Sequence, residues 1–170
     1  MVDDDELLLA VLNTTPAHGG VRQDHLQGSP GLAWLVAHGG VSSTRERDSL
    51  IQARDLLQHA IRKEPDGQAL ARFLEGVAVV PVLAGRALVW DRRLPGEREL
   101  AAQVVLAWAK IEGNRPHSLK ACANPQCERF LLDRSHSNQA RWCSMATCGN
   151  RAKARRHYER TRAEDEPRAR

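Results

Sequence analysis

Four cysteines fall within fewer than thirty residues, spaced as Cys122-x4-Cys127, fifteen intervening residues, and Cys143-x4-Cys148. Two close pairs joined by a longer arm suit a tetrahedral zinc ion, because each pair supplies one edge of the tetrahedron and the arm returns the chain. Four thiolates fill the coordination sphere and leave no position for water or substrate, so one zinc ion bound by Cys122, Cys127, Cys143 and Cys148 is expected to be structural. The competing reading is two disulfides, with three connectivities. The acidic start Met1-Val-Asp-Asp-Asp-Glu6 lacks the basic flank of a secretory signal, and the apolar run Leu7 to Leu12 is too short to span a bilayer. A cytoplasmic protein with no membrane partner is therefore expected, and the reducing compartment favours metal over bridges.

The contents of the arm sharpen this reading. Phe130-Leu131-Leu132 suits one strand, Arg134 to Asn138 a turn, and Gln139 to Trp142 a return strand. Gly149 then precedes a helix-forming run from Arg151 to Arg162. Knuckle, hairpin and helix in that order describe a treble-clef-like module, with the last thiolate favoured by the dipole at the helix start. His136 lies in the expected turn and is a spare ligand type, yet four cysteines suffice.

Charge is divided unevenly. The formal net charge is +4, but from Arg115 onward 13 Lys and Arg stand against 6 Asp and Glu, leaving residues 1–114 net negative. The C-terminal helix carries Arg151, Lys153, Arg155, Arg156, Arg160 and Arg162 with only Glu159 among them. At 100° per residue, Arg151, Arg155, Tyr158 and Arg162 share one face, and Lys153, Arg156 and Arg160 share another. Such a helix repels itself unless phosphates or solvent surround it, and arginine suits bidentate contacts to phosphate or guanine. The candidate nucleic-acid contacts are these six residues together with Arg141 and Asn150. A solvated charged helix is the competing reading. Trp142 could stack on a base or pack beside the metal.

The preceding 114 residues read as a mostly helical α+β domain with a β-hairpin, and residues 115–170 as the zinc module. Asp4 to Leu12 reads as an amphipathic helix with Leu8, Val11 and Leu12 facing a core, a short buried strand being the alternative, and Asn13-Thr14-Thr15-Pro16 ends it. Thr14 to Gly28 is a loop, and Ser29-Pro30 places a cap and a first helical proline before a helix that stops at Gly39-Gly40. Ser43-Thr44-Arg45-Glu46 matches a capping box at the head of a long helix to about Lys63, whose apolar face holds Leu50, Ala53, Leu57, Ala60 and Ile61, with Arg45, Arg47, Arg54 and Arg62 largely elsewhere. Pro65-Asp66-Gly67 breaks that helix, and a short helical stretch runs from Gln68 to Glu75. A hairpin follows over Val77–Leu83 and Ala87–Asp91, its first strand marked as an edge by Pro81. A helix from Glu97 to Glu112 carries Leu100, Val104, Trp108 and Ile111 as a stripe, and Gly113-Asn114-Arg115-Pro116 is the linker. Residues 163–170 are expected to fray.

Cys122-Ala-Asn-Pro-Gln-Cys127, Phe130-Leu-Leu-Asp133 and the run Trp142 to Lys153 containing Cys148-Gly149-Asn150-Arg151 resemble the CGNR zinc finger family, which takes its name from that tetrapeptide. Leu7 to Thr14 and Ser29 to Leu35 resemble the ABATE domain that precedes the finger in that family. The resemblance implies a bacterial stress-related transcriptional regulator with an α+β N-terminal domain. It carries the zinc ligands onto the four cysteines and the signature onto Asn150 and Arg151, the former with helix capping as its structural alternative.

The expected function is a regulator binding double-stranded DNA, with a small-molecule or protein effector, or a second copy of the chain, received by the N-terminal domain. A zinc-scaffolded protein-interaction module and an RNA-binding module are the alternatives. An enzyme is not expected: the chain has no phosphate-binding glycine loop, nucleophile elbow or open metal motif, and Asp24, His25 and His18 are isolated.

Overall fold

The computed structural model describes residues 3–18, 21–63 and 67–165. Gly19-Gly20 of the expected loop, Pro65-Asp66 of the expected break and residues 166–170 of the expected frayed tail lie outside them. Helix α1 (Asp4–Leu12) is followed by a small antiparallel pair, β1 (Ala17–His18) and β2 (Val21–Arg22), inside the segment expected to be loop. Helices α2 (Gly28–Ala37), α3 (Thr44–Arg62) and α4 (Gly67–Ala71) come next, the last continuing as a 3-10 turn to Leu74. An antiparallel hairpin of β3 (Ala78–Ala84) and β4 (Ala87–Arg93) leads to α5 (Glu99–Asn114). The C-terminal part holds β5 (Leu119–Ala121), β6 (Phe130–Leu132), a π turn (Met145–Gly149) and α6 (Asn150–Asp165).

Apolar periodicity places the helices as expected. Leu7, Leu8, Val11 and Leu12 of α1, Leu50, Ala53 and Leu57 of α3, and Leu100, Val104, Val105 and Ile111 of α5 form one core. Helix α2 starts earlier than the Ser29-Pro30 pair suggests: Gln27 occupies the cap position and makes no side-chain cap bond, so proline sits inside the first turn, where its missing N–H costs nothing. Gly31 is the contact point of that turn, since a Cβ there would collide with the Leu26 carbonyl.

The capping box forms by half. Ser43 Oγ accepts from the amides of Arg45 and Glu46 at 3.2 and 3.4 Å. Glu46 does not return to the Ser43 amide; it is fully buried and accepts from Val41 N at 2.6 Å and Leu100 N at 3.3 Å, joining the head of α3 to the head of α5. Leu100 N is one of the amides a helix start leaves without an internal partner, which is why a carboxylate is tolerated there.

Arg54 is also a correction. It lies on the buried side of α3 with a side chain 2% exposed. Its guanidinium donates to both Asp24 oxygens at 2.7 and 2.9 Å, to Asp55 at 3.0 Å and to Thr14 Oγ1 at 3.2 Å. Beside it, buried Gln58 donates to Leu12 O and Thr15 Oγ1, both at 2.8 Å. The segment after α1 is thus held against α3 by these side chains, in addition to its own β1–β2 pairing.

The core continues past residue 114. Leu119 and Phe130 belong to the same cluster as Leu7 and Leu57. Asn13 lays its amide along β6, donating to Phe130 O at 3.2 Å and accepting from Phe130 N at 2.8 Å, so it acts as a one-residue strand. Arg62, at the end of α3, stacks over the Phe130 ring at 4.5 Å and bonds Glu128 at 2.8 Å. The C-terminal module is therefore docked, with its hairpin packed on α1 and α3.

Candidate metal centre

The strand pairing differs from the expected one. Phe130–Leu132 pairs with Leu119–Ala121, in the register Leu119↔Leu132 and Ala121↔Phe130, and Gln139–Trp142 is not a strand. The hairpin therefore encloses the first cysteine pair as its turn. Cys122 N donates to Arg129 O at 2.8 Å to close it, and Cys127 N donates to Asn124 O at 2.8 Å within it.

The arm is organised by one carboxylate. Buried Asp133 accepts from Ser135 Oγ at 2.6 Å, Ser135 N at 3.0 Å, Ala140 N at 2.6 Å and Lys120 Nζ at 3.2 Å. These bonds, led by the Ser135 hydroxyl, hold its carboxyl far below the usual carboxylate range. Lys120 also donates to Asn138 O at 2.6 Å, and Asn138 adopts a left-handed φ of 48°, which asparagine tolerates. The signal was the Asp-x-Ser of an Asx-turn, in which the aspartate bonds backbone two residues on. The loop returns so that Ala123 N donates to Arg141 O at 2.8 Å, bringing Cys143 to the first pair.

The second pair lies at the base of α6. Ser144 Oγ caps the π turn by accepting from Thr147 N at 3.3 Å, and Cys148 sits within that turn, one residue from buried Gly149. The cap is thus Ser144, and Asn150 braces the turn by donating to Ala146 O at 3.2 Å.

These elements bring all four Sγ atoms within 4.8 Å of one another. Cys143 Sγ is 3.7 Å from both Cys127 Sγ and Cys148 Sγ. A zinc–thiolate bond of about 2.3 Å implies tetrahedron edges of roughly 3.8 Å, so the spacing fits the ion. It does not fit bridges: all four cysteines are free, and a disulfide needs a sulfur separation of about 2.05 Å. Burial, followed by contact with the other sulfurs, pushes the Cys143 thiol up, and four thiolates at this spacing repel one another unless a cation lies between them. Two N–H groups support the sulfurs from outside: buried Asn124 Nδ2 donates to Cys148 Sγ and Cys143 N to Cys122 Sγ, each at 3.5 Å.

Residues 118–161 match the CGNR zinc finger family. The match spans the metal centre, its hairpin and most of α6; no curated protein matches the chain. A single zinc is the cofactor of this four-cysteine module, whose closed set of ligands makes it structural.

The finger displays its cations outward. Arg151, Lys153, Arg155, Arg156, Arg160 and Arg162 are exposed, and among the described residues none of their side chains makes a hydrogen bond or ion pair. Arg141, also exposed, lies over the Trp142 ring at 5.5 Å. A cleft of about 220 Å³ separates the first knuckle from α6, lined by Asn124, Gln126, Arg141, Trp142, Arg151 and Arg155 among others. Trp142 is half-buried there, and a Cβ on Gly149 would come within 3.4 Å of its ring, so the tryptophan packs against the base of α6. No helix among the described residues is long and apolar enough to cross a membrane.

Proposed function

We propose that this protein is a DNA-binding transcriptional regulator in which zinc orders a treble-clef-like finger and α6 docks on duplex phosphates. One observation carries the reading: the run of exposed, uncommitted cations on α6, continued across the cleft by Arg141. Several arginines elsewhere in the chain are engaged, as Arg54 with Asp24, Arg62 with Glu128 and Arg92 with Asp4. A helix left this basic gains free energy when phosphate contacts release counterions. Trp142 is poorly placed to stack on an unpaired base, because Arg141 lies over its ring and its edge packs near the base of α6, and Tyr158 on α6 is the exposed aromatic that an RNA ligand would use. The nucleic-acid contacts of this reading are Arg141, Asn150, Arg151, Lys153, Arg155, Arg156, Arg160 and Arg162, and the ABATE-like N-terminal region is the unit that receives an effector. The reaction chemistry of an enzyme has no place in it, since four thiolates close the metal.

The test is selection from a random duplex library by the zinc-loaded chain, repeated with chelator. Enrichment of a defined sequence that chelator abolishes is the expected result. Full zinc loading with no enriched sequence would overturn the reading and make RNA or an acidic protein the ligand of α6.

A further inference from the structure

The β3–β4 hairpin is apolar on both faces and stands away from the core. No residue of either strand is buried, and none joins the core cluster. Val79, Leu83, Leu88 and Trp90 are 57, 73, 58 and 66% exposed, and Val82 and Val89 are 38 and 44% exposed. The arm is fastened at its base, where Arg92 bonds Asp4 at 3.0 Å. An isolated two-stranded hairpin is marginal in water, and monomers rarely leave so continuous an apolar surface open.

Main-chain parity shows where a partner strand can join. Ala84 pairs with Ala87 across the two-residue turn Gly85-Arg86, so the pairs Ala84–Ala87, Val82–Val89 and Val80–Asp91 bond each other. The amides and carbonyls of Val79, Pro81 and Leu83 on β3, and of Leu88, Trp90 and Arg92 on β4, then point outward. Pro81 has no N–H, so the outer edge of β3 lacks a donor at its centre. The edge of β4 is complete.

We propose that two copies of this chain associate through their hairpins, with the β4 edges pairing antiparallel about a two-fold axis at Trp90. That register sets Trp90 against itself, Leu88 beside the aliphatic stem of Arg92 and Val89 beside Asp91, and it places no like charges opposite each other. The four-stranded sheet that results meets the strand number needed for independent stability. This pairing sets Leu88, Val89 and Trp90 of one copy alongside those of the other, while Val79, Val82 and Leu83 stay on the two outer strands. Self-association suits this surface better than an acidic or basic partner, because Arg86 at the tip is the one charge between Val79 and Trp90.

Sedimentation of the zinc-loaded full chain, with and without Leu88→Lys and Trp90→Lys together, tests this. A dimer that becomes a monomer of unchanged zinc content and helicity is the expected result. A wild-type chain that stays monomeric up to about 100 µM, a concentration far above a micromolar Kd, or a dimer that survives the double substitution, would overturn it. Should the lysine variant misfold, Trp90→Thr keeps a strand-forming residue and must still raise the dimer Kd at least tenfold; an unchanged Kd in a folded Trp90→Thr protein would also overturn the proposal.

Discussion

Helices α3 and α6 both carry several arginines, and Arg54 of α3 sits in the opposite situation to those of α6. On α3, Arg54 is nearly inaccessible and shares its donors among Asp24, Asp55 and Thr14. On α6, Arg151, Arg155, Arg156 and Arg160 face solvent with no described partner. A buried guanidinium without acceptors would be ruinous to the fold, so Arg54 is explained by the structure around it. The α6 set is not, and its explanation lies in something the chain meets. Residue type alone therefore says little about whether an arginine holds a fold or waits for a ligand.

That contrast can be broken or sharpened by experiment. The largest effect is expected from the metal. Chelation, or Cys143→Ser, should remove stabilisation of order 10 kcal/mol from the finger, as for other structural zinc sites. Because Leu119 and Phe130 complete the core that α1 and α3 build, the melting temperature of the whole chain should drop, not only that of residues beyond 114. Calorimetry checks this; two independent transitions would show that the shared core does not couple the two parts.

Next in size is Arg54→Ala, which strands Asp24 and should cost about 3 kcal/mol in urea unfolding, the lower end for breaking a buried pair because Asp24 is partly open to water. A loss under about 0.5 kcal/mol, the size of an ordinary surface change, would put Arg54 in the same class as the α6 residues. Arg155→Ala with Arg156→Ala should shift the melting temperature by no more than such a surface change does. A large loss of stability would mean that these arginines brace the finger.

The smallest effect concerns acid. Asp133 has a depressed folded carboxyl, so its contribution is fully present above the unfolded value of about 3.9 and is lost as pH falls below it toward the folded value. Asp133→Asn should flatten the stability profile below about pH 4 and leave its shape at neutral pH unchanged. Pulse-proteolysis across pH reads this out, and an unaltered acid limb would remove Asp133 from the arm's organisation.

Much of this was legible because the signals are local. Ligand spacing marked Cys122, Cys127, Cys143 and Cys148, and the 3.6-residue period marked α1, α3 and α5. What escaped depended on distant partners. Arg54 read as a surface residue because Asp24 lies thirty residues away in a segment without periodicity. Glu46 looked like a capping residue until Leu100 N, across the core, claimed it. The three-residue strand Leu119–Ala121 is too short to show alternation, and Gln139–Trp142 looks the more strand-like partner for Phe130–Leu132 in sequence. The hairpin was readable from its β-branched runs, but its exposure on both faces was not, since a buried and an unpartnered apolar strand look alike in sequence.

The most direct test is the salt dependence of duplex DNA affinity for the zinc-loaded chain and for Arg155→Ala with Arg156→Ala. Wild-type affinity should fall steeply as salt rises, and the double variant should bind more weakly with a log–log slope shallower by about 1.8, two contacts at about 0.9 each. An unchanged slope and affinity in a folded variant would mean that these exposed arginines of α6 do not meet DNA phosphates.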